Sequence, residues 1–215
     1  MDIYFIRHGQ TEGNRLHRHQ FSDTPLNERG HRQAAAVADL VPAYAPTHLL
    51  TSTLTRAQET AAAIAATTKL TPVEYEQFIE IQRPPHIQGM HYAHPKSAWY
   101  LIRWFLTGRT AFLNNGRGES YGALIARIEA AKRVLETLPP DARVLVVSHS
   151  VFINFFVAHI CSDKPISFFG AFLRFTKILN LDNSSVSHVR YNPAALQGTC
   201  AWEVVSFDND AHVMK

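Results

Sequence analysis

Two histidines in this 215-residue chain stand where short apolar runs stop. The run Ile3–Ile6 leads straight into Arg7-His8-Gly9, and Val144–Val147 leads into Ser148-His149. A third run, "THLLTS", precedes a helical stretch that carries Arg56 in its first turn. Two imidazoles, two guanidinium groups and the positive end of a helix suit a dianion, and phosphate is the obvious one. A histidine among guanidinium groups has its protonated form disfavoured, so its imidazole stays neutral and nucleophilic at pH 7. It can attack phosphorus in line to give a phosphohistidine, while the arginines stabilise charge on the equatorial oxygens. That design calls for no metal and no cofactor.

For these residues to meet, the three runs must be strands ending on one edge of a sheet. The order of elements supports this. "SDTPLNERGHRQAAAVADLV" reads as a turn and a helix ended by Pro42. "TLTRAQETAAAIAATT" reads as an Ala-rich helix starting at about Ser52 or Thr53, either of which can cap it. "TPVEYEQF" reads as a third strand. "ESYGALIARIEAAKRVLETLP" is an amphipathic helix with Leu124, Ile128, Ala131 and Leu135 on one face. "VFINFFVAHI" continues the second histidine run as an apolar helix. "AFLRFTKILNLDN", "SVSHVRYN" and "TCAWEVVSFD" read as late strands, with Arg174 and Lys177 facing solvent.

Strand–helix alternation of this kind predicts an α/β fold, a three-layer α/β/α sandwich with a mostly parallel central sheet. Its site lies beyond the carboxyl ends of the strands. Residues 83–117, rich in Pro, His, Arg and aromatics, read as a cap-like insertion over that edge within one domain spanning 1–215. The insertion contains one helical piece, Trp99–Leu106. His86, His91 and His94 lie on a Pro-broken segment that no carboxylate or Cys set completes; they read as pocket lining beside Arg83, not as metal ligands.

Bulk properties narrow the partners. Net charge is +3 with the basic residues scattered, so a nucleic-acid partner is not expected. No run approaches the roughly 18 apolar residues that span a bilayer, and Arg7 and His8 interrupt the first apolar run too early for a secretory signal. Cys161 and Cys200 fit no Cys-x-x-Cys pattern and read as two small hydrophobes in a reducing compartment, a single disulfide being left open. The expectation is a cytoplasmic protein acting on a small phosphoester.

"FIRHGQTEGN" resembles the Arg-His-Gly-x-Thr-x-x-Asn signature of the histidine phosphatase superfamily, which contains cofactor-dependent phosphoglycerate mutases and many phosphatases. "SDTPLNERGHRQA", "TSTLTRAQETA", "GES", "VLVVSHS" and "LDNSSVSHVRYN" resemble later segments of that family, in its order. The resemblance implies that His8 accepts the phosphoryl group, with Arg7, Arg56 and His149 as its pocket and Asn14 as a further polar contact. It also implies a general acid at Glu80, protonated at the start of the cycle. Where the family shows Gly before the Asp of the turn, this chain has Gln20 and Phe21, and after Glu80 it has "IQRPPHIQGMHYAHP". Gln20, Phe21 and Arg83 are therefore read as substrate-facing. The expected activity is metal-independent phosphomonoester hydrolysis through phospho-His8. The alternatives are a mutase-like phosphotransferase and a non-catalytic binder of phosphate ligands.

Overall fold

The computed structural model describes residues 1–106, 118–161, 182–196 and 198–210. Six strands form one sheet: β1 (Asp2–Arg7), β2 (His48–Thr51), β3 (Pro72–Glu74), β4 (Arg143–Ser148), β5 (Val186–Tyr191) and β6 (Trp202–Asn209), in the order β3-β2-β4-β1-β5-β6. The first four run parallel, while β5 and β6 are antiparallel additions beside β1. The helices are α1 (Glu12–Arg15), α2 (Glu28–Leu40), α3 (Thr55–Thr68), α4 (Pro95–Leu106), α5 (Tyr121–Glu136) and α6 (Ser150–Ala158).

Side-chain alternation along β1 and β4 sorts the core into two layers. Ile3, Phe5, Val144 and Val146 pack with Leu124 and Ile128 of α5 and Phe152 and Phe156 of α6. The residues between them, Ile6, Leu145 and Val147, pack instead with Val37 of α2 and Ala57, Ala61 and Ile64 of α3. Both faces of the central strands are thus covered, which is why they read as continuous apolar runs rather than alternating ones. The mostly parallel sheet with helices on both sides is the expected architecture.

Four local expectations change. The helix carrying Arg56 starts at Thr55, and its N-cap position, Leu54, makes no side-chain capping bond. Ser52 stays at the strand end, where its Oγ accepts from the Leu54 N–H at 3.2 Å. The third strand shortens to Pro72–Glu74, because at the sheet edge the chain turns through Glu76–Phe78 to bury Phe78. Cys161 and Cys200 are joined as a disulfide, not two separate thiols, so they lend no support to a reducing compartment. The strand read in "AFLRFTKILNLDN", with Arg174 and Lys177, lies outside the described residues up to position 181. Among the described residues no helix is long and apolar enough to cross a membrane.

Candidate active site

Parallel pairing of β1 with β4 sets Arg7 opposite Ser148, so the next residues on each strand, His8 and His149, leave the sheet side by side. Their ring centroids lie 5.0 Å apart. The His8 N–H donates to the Ser148 carbonyl (3.0 Å), and the His8 carbonyl accepts from the Asn183 amide (3.0 Å). Both imidazoles are buried, His8 at 3% and His149 at 0% exposure. Gly9 then passes against the first turn of α2. A Cβ at Gly9 would lie 2.4 Å from the Gly30 carbonyl oxygen, and one at Gly30 2.0 Å from the Gln10 carbonyl oxygen. The reason for glycine there is close backbone approach; Gly9 has no positive φ. The Gly9 N–H donates to Thr60 Oγ1 (3.1 Å), which ties the His8 loop to α3.

The tautomer of His8 follows from its partners. Nδ1 lies 2.7 Å from the Gly9 carbonyl oxygen, which can only accept, so Nδ1 carries the proton. Nε2 faces the Arg56 Nε–H at 3.3 Å, a group that can only donate, so the Nε2 lone pair is free of hydrogen. Burial first, then Arg56 and Arg7, hold the His8 pKa well below its ordinary value. His149 is lowered likewise by burial, by Arg56 and by His8 itself. Its Nε2 is 2.8 Å from Ser52 Oγ. Burial lowers Arg7 and brings Arg56 down to about 10; a guanidinium in a protein keeps its proton at neutral pH. A second Arg56 bond, Nη1 to the Phe21 carbonyl (3.0 Å), anchors the loop at the pocket mouth.

Above this cradle opens a cavity of about 530 Å³ whose lining includes Gln20, Phe21, Arg56, Glu80 and Arg83. Arg56 is shared between cradle and cavity. Glu80 is held at the site by two backbone donors, Ile81 N–H to Oε1 (2.9 Å) and Val151 N–H to Oε2 (3.2 Å), the second in the first turn of α6. Asn14 occupies a different place from the cavity wall. Its Oδ1 accepts from Thr11 N–H (3.1 Å) and Thr11 Oγ1 (2.9 Å), completing a capping box on α1, and Asn183 Nδ2 lies 3.4 Å away. The structure thus gives Asn14 a loop-bracing role beside His8.

Several positioning groups escaped the reading of the sequence. Ser52, taken for a helix cap, orients His149. Thr60 and Asn183 hold the His8 loop from two sides. The largest omission is a brace behind Glu80. Glu119 and Arg127 form a two-point ion pair (2.8 and 2.7 Å) with side chains only 7% and 13% exposed. The same guanidinium donates to the Gln77 and Ile79 carbonyls (3.1 and 2.6 Å), and Gln82 N–H donates to Glu119 Oε2 (3.2 Å). The residue before Glu119, Gly118, has φ +83°, and a Cβ there would sit 2.8 Å from the Gln82 carbonyl oxygen. Glycine is required at that approach.

The histidine phosphatase superfamily (branch 1) profile matches residues 3–201. The chain belongs to this family. It is 30% identical over 220 residues to a protein of Cronobacter sakazakii named probable phosphoglycerate mutase GpmB, spanning 99% of this chain and 95% of that one. Among solved structures, the alpha-ribazole phosphatase of Shigella flexneri has a TM-score of 0.74 at 21% identity, covering 97% of this chain and 96% of that one. A phosphoserine phosphatase mutant of Entamoeba histolytica, solved with phosphoserine, has a TM-score of 0.74 at 19% identity and covers 99% of both chains. At those identities the two structures establish the family fold. His86, His91 and His94, read as pocket lining beside Arg83, are not among the residues that line the cavity; among the described residues no group of three His, Cys, Asp or Glu is placed to hold an ion.

Proposed function

We propose that the protein hydrolyses small phosphomonoesters through a phosphohistidine on His8. The observation that supports this most directly is the fixed tautomer: a buried, neutral imidazole with its Nε2 lone pair free of hydrogen and a guanidinium beside it. In the first step the His8 Nε2 lone pair forms the N–P bond as the P–O ester bond breaks in line. The Glu80 carboxyl gives its proton to the departing oxygen. In the second step the Glu80 carboxylate takes a proton from water, the water oxygen bonds to phosphorus, and the N–P bond breaks. Phosphate leaves with His8 and Glu80 restored.

Arg7 and Arg56 offset the phosphoryl charge, so the scheme needs no metal. The long Arg56 Nε–His8 contact is exchanged for a phosphoryl oxygen when substrate arrives. With the Ser52 hydroxyl donating to its Nε2, His149 presents an Nδ1–H that has no partner among the described residues and is available to the same oxygens.

A phosphotransferase of mutase type shares the first step and is favoured by the name of the Cronobacter relative. The two readings differ in what receives the phosphoryl group. Rapid quenching with a ³²P-labelled phosphomonoester is expected to trap an acid-labile, base-stable adduct on His8 that is absent from His8→Ala. Free phosphate, rather than an isomer of the substrate, is the expected product, and EDTA is expected to leave the rate unchanged. Full activity in His8→Ala would overturn the scheme.

A further inference from the structure

The phosphoryl cradle uses Arg7 and Arg56, but the cavity above it holds one more cation. Arg83 lines the same wall as Arg56, Gln20 and Glu80. Among the described residues it has no hydrogen-bond or ion-pair partner, and its Nε is shut off from solvent as well. A guanidinium in that position has lost part of its hydration without gaining an acceptor, an arrangement that an incoming anion relieves. Glu119 is taken by Arg127. Glu80 is the cavity's one carboxylate among the described residues, and both its oxygens already accept backbone N–H groups.

The surroundings of Arg83 carry the same signature of unused polar capacity. His19 is 4% exposed, and neither ring nitrogen has a partner among the described residues. Burial and the adjacent Arg83 hold it down to about 3, so it stays neutral and adds no second charge. The buried Oε1 of Gln20 is also without a partner among the described residues. These groups are fixed in place by backbone pairing between the loop and the insertion. His19 N–H donates to the Met90 carbonyl (2.9 Å), Gly89 N–H to the His19 carbonyl (2.8 Å) and Tyr92 N–H to the His17 carbonyl (2.8 Å).

We propose that Arg83 is a specificity-determining residue that binds a second anionic group of the substrate, so the preferred substrates are phosphomonoesters that carry a further carboxylate or phosphate. This rests on the reading of His8, Arg7 and Arg56 as the phosphoryl site. Apolar cavity residues Phe21, Leu54 and Ile81 leave room for a short carbon body between the two anions.

Matched probe pairs test it. Glycerol 3-phosphate and 3-phosphoglycerate differ by a carboxylate; 3-hydroxypropyl phosphate and 1,3-propanediol bisphosphate differ by a second phosphate. Both kcat/KM for the wild type and calorimetric Kd for His8→Ala are measured, so the subsite is read with or without turnover. The doubly anionic member of at least one pair is expected to be favoured at least tenfold, and which pair responds names the anion. Arg83→Met is expected to lower the doubly anionic member at least tenfold more than the singly anionic one, and Arg83→Lys to keep part of the preference. Equal treatment of both members of both pairs by the wild type would overturn the subsite. So would an equal loss on both members in Arg83→Met, with Arg83→Lys behaving the same way. Discrimination in binding without any turnover would retain the subsite and overturn the hydrolase reading; turnover without discrimination would do the reverse.

Discussion

The proposed role of His8 requires its ring to be held to a fraction of an ångström, and the means of holding it is the absence of two side chains. Gly9 and Gly30 let the His8 loop lie against α2 at a backbone separation that no Cβ fits. Gly30→Ala must push the loop outward. Because misplacement by about 1 Å can lower a rate roughly a hundredfold, a drop in kcat of tenfold or more is expected, with far-ultraviolet circular dichroism preserved. An unchanged kcat would show that the loop can yield without moving His8. At this scale the sequence was informative about residue identity and less so about role. Arg7, His8, Arg56 and His149 are legible because each follows an apolar run or opens a helix on one edge. Ser52 was not, because "TSTLT" offers several hydroxyls that can cap a helix. Asn14 read as a phosphate contact; the structure adds that its carbonyl oxygen closes a local capping box, a role its position in the sequence did not reveal.

Among the elements, the segment from Gln77 to Gln82 has no strand or α-helix of its own to hold Glu80 in place. Its carbonyls and amides are gathered by Arg127 and Glu119 from α5 and the residue before its cap. Arg127→Met would leave the nearly buried Glu119 carboxylate without its counter-ion, a change that costs about 3–5 kcal/mol. Urea unfolding is expected to show a loss of that order, and turnover should fall because Glu80 loses its support. In the pair Glu119→Leu with Arg127→Met, much of the stability should return but not the turnover. Recovery of both would mean that the brace supports the fold alone. No spacing rule reveals this pair. Its members are eight residues apart, off the one-turn spacing of a helix, and the carbonyls they gather lie about 50 positions upstream. The fold class, by contrast, was legible in the apolar runs themselves, since strands covered on both faces need no alternation.

At the scale of the whole molecule, three of the histidines buried among the described residues, His8, His19 and His149, are held neutral. Each has its folded pKa depressed below the ordinary histidine value. Below about pH 6.5 the unfolded chain binds protons that the folded chain refuses, so stability falls as the pH drops. The limiting slope is about 1.4 kcal/mol per pH unit for each such histidine. Urea titrations at pH 7.5, 6.5 and 5.5 should show little change over the first step and a clear loss over the second; a flat profile would contradict the buried neutral state. Cys161 and Cys200 close a loop of sequence separation 39 between the end of α6 and the start of β6. On the chain-entropy account such a link contributes about 4 kcal/mol. Unfolding with and without dithiothreitol checks this, and identical midpoints would show that the link does not form in solution. Two lone cysteines gave no spacing pattern from which that bond could be read.

The backbone ladder between residues 17–19 and 89–92 has an evolutionary and engineering consequence. The loop whose Phe21 carbonyl seats Arg56 and the insertion that carries Arg83 are laced into a single rim. Backbone shifts at 89–92 are therefore expected to reach Phe21 and Arg56, whereas side-chain changes that leave the ladder intact are not. A chimera that transplants residues 83–117 into a relative should work only if residues 16–22 travel with them.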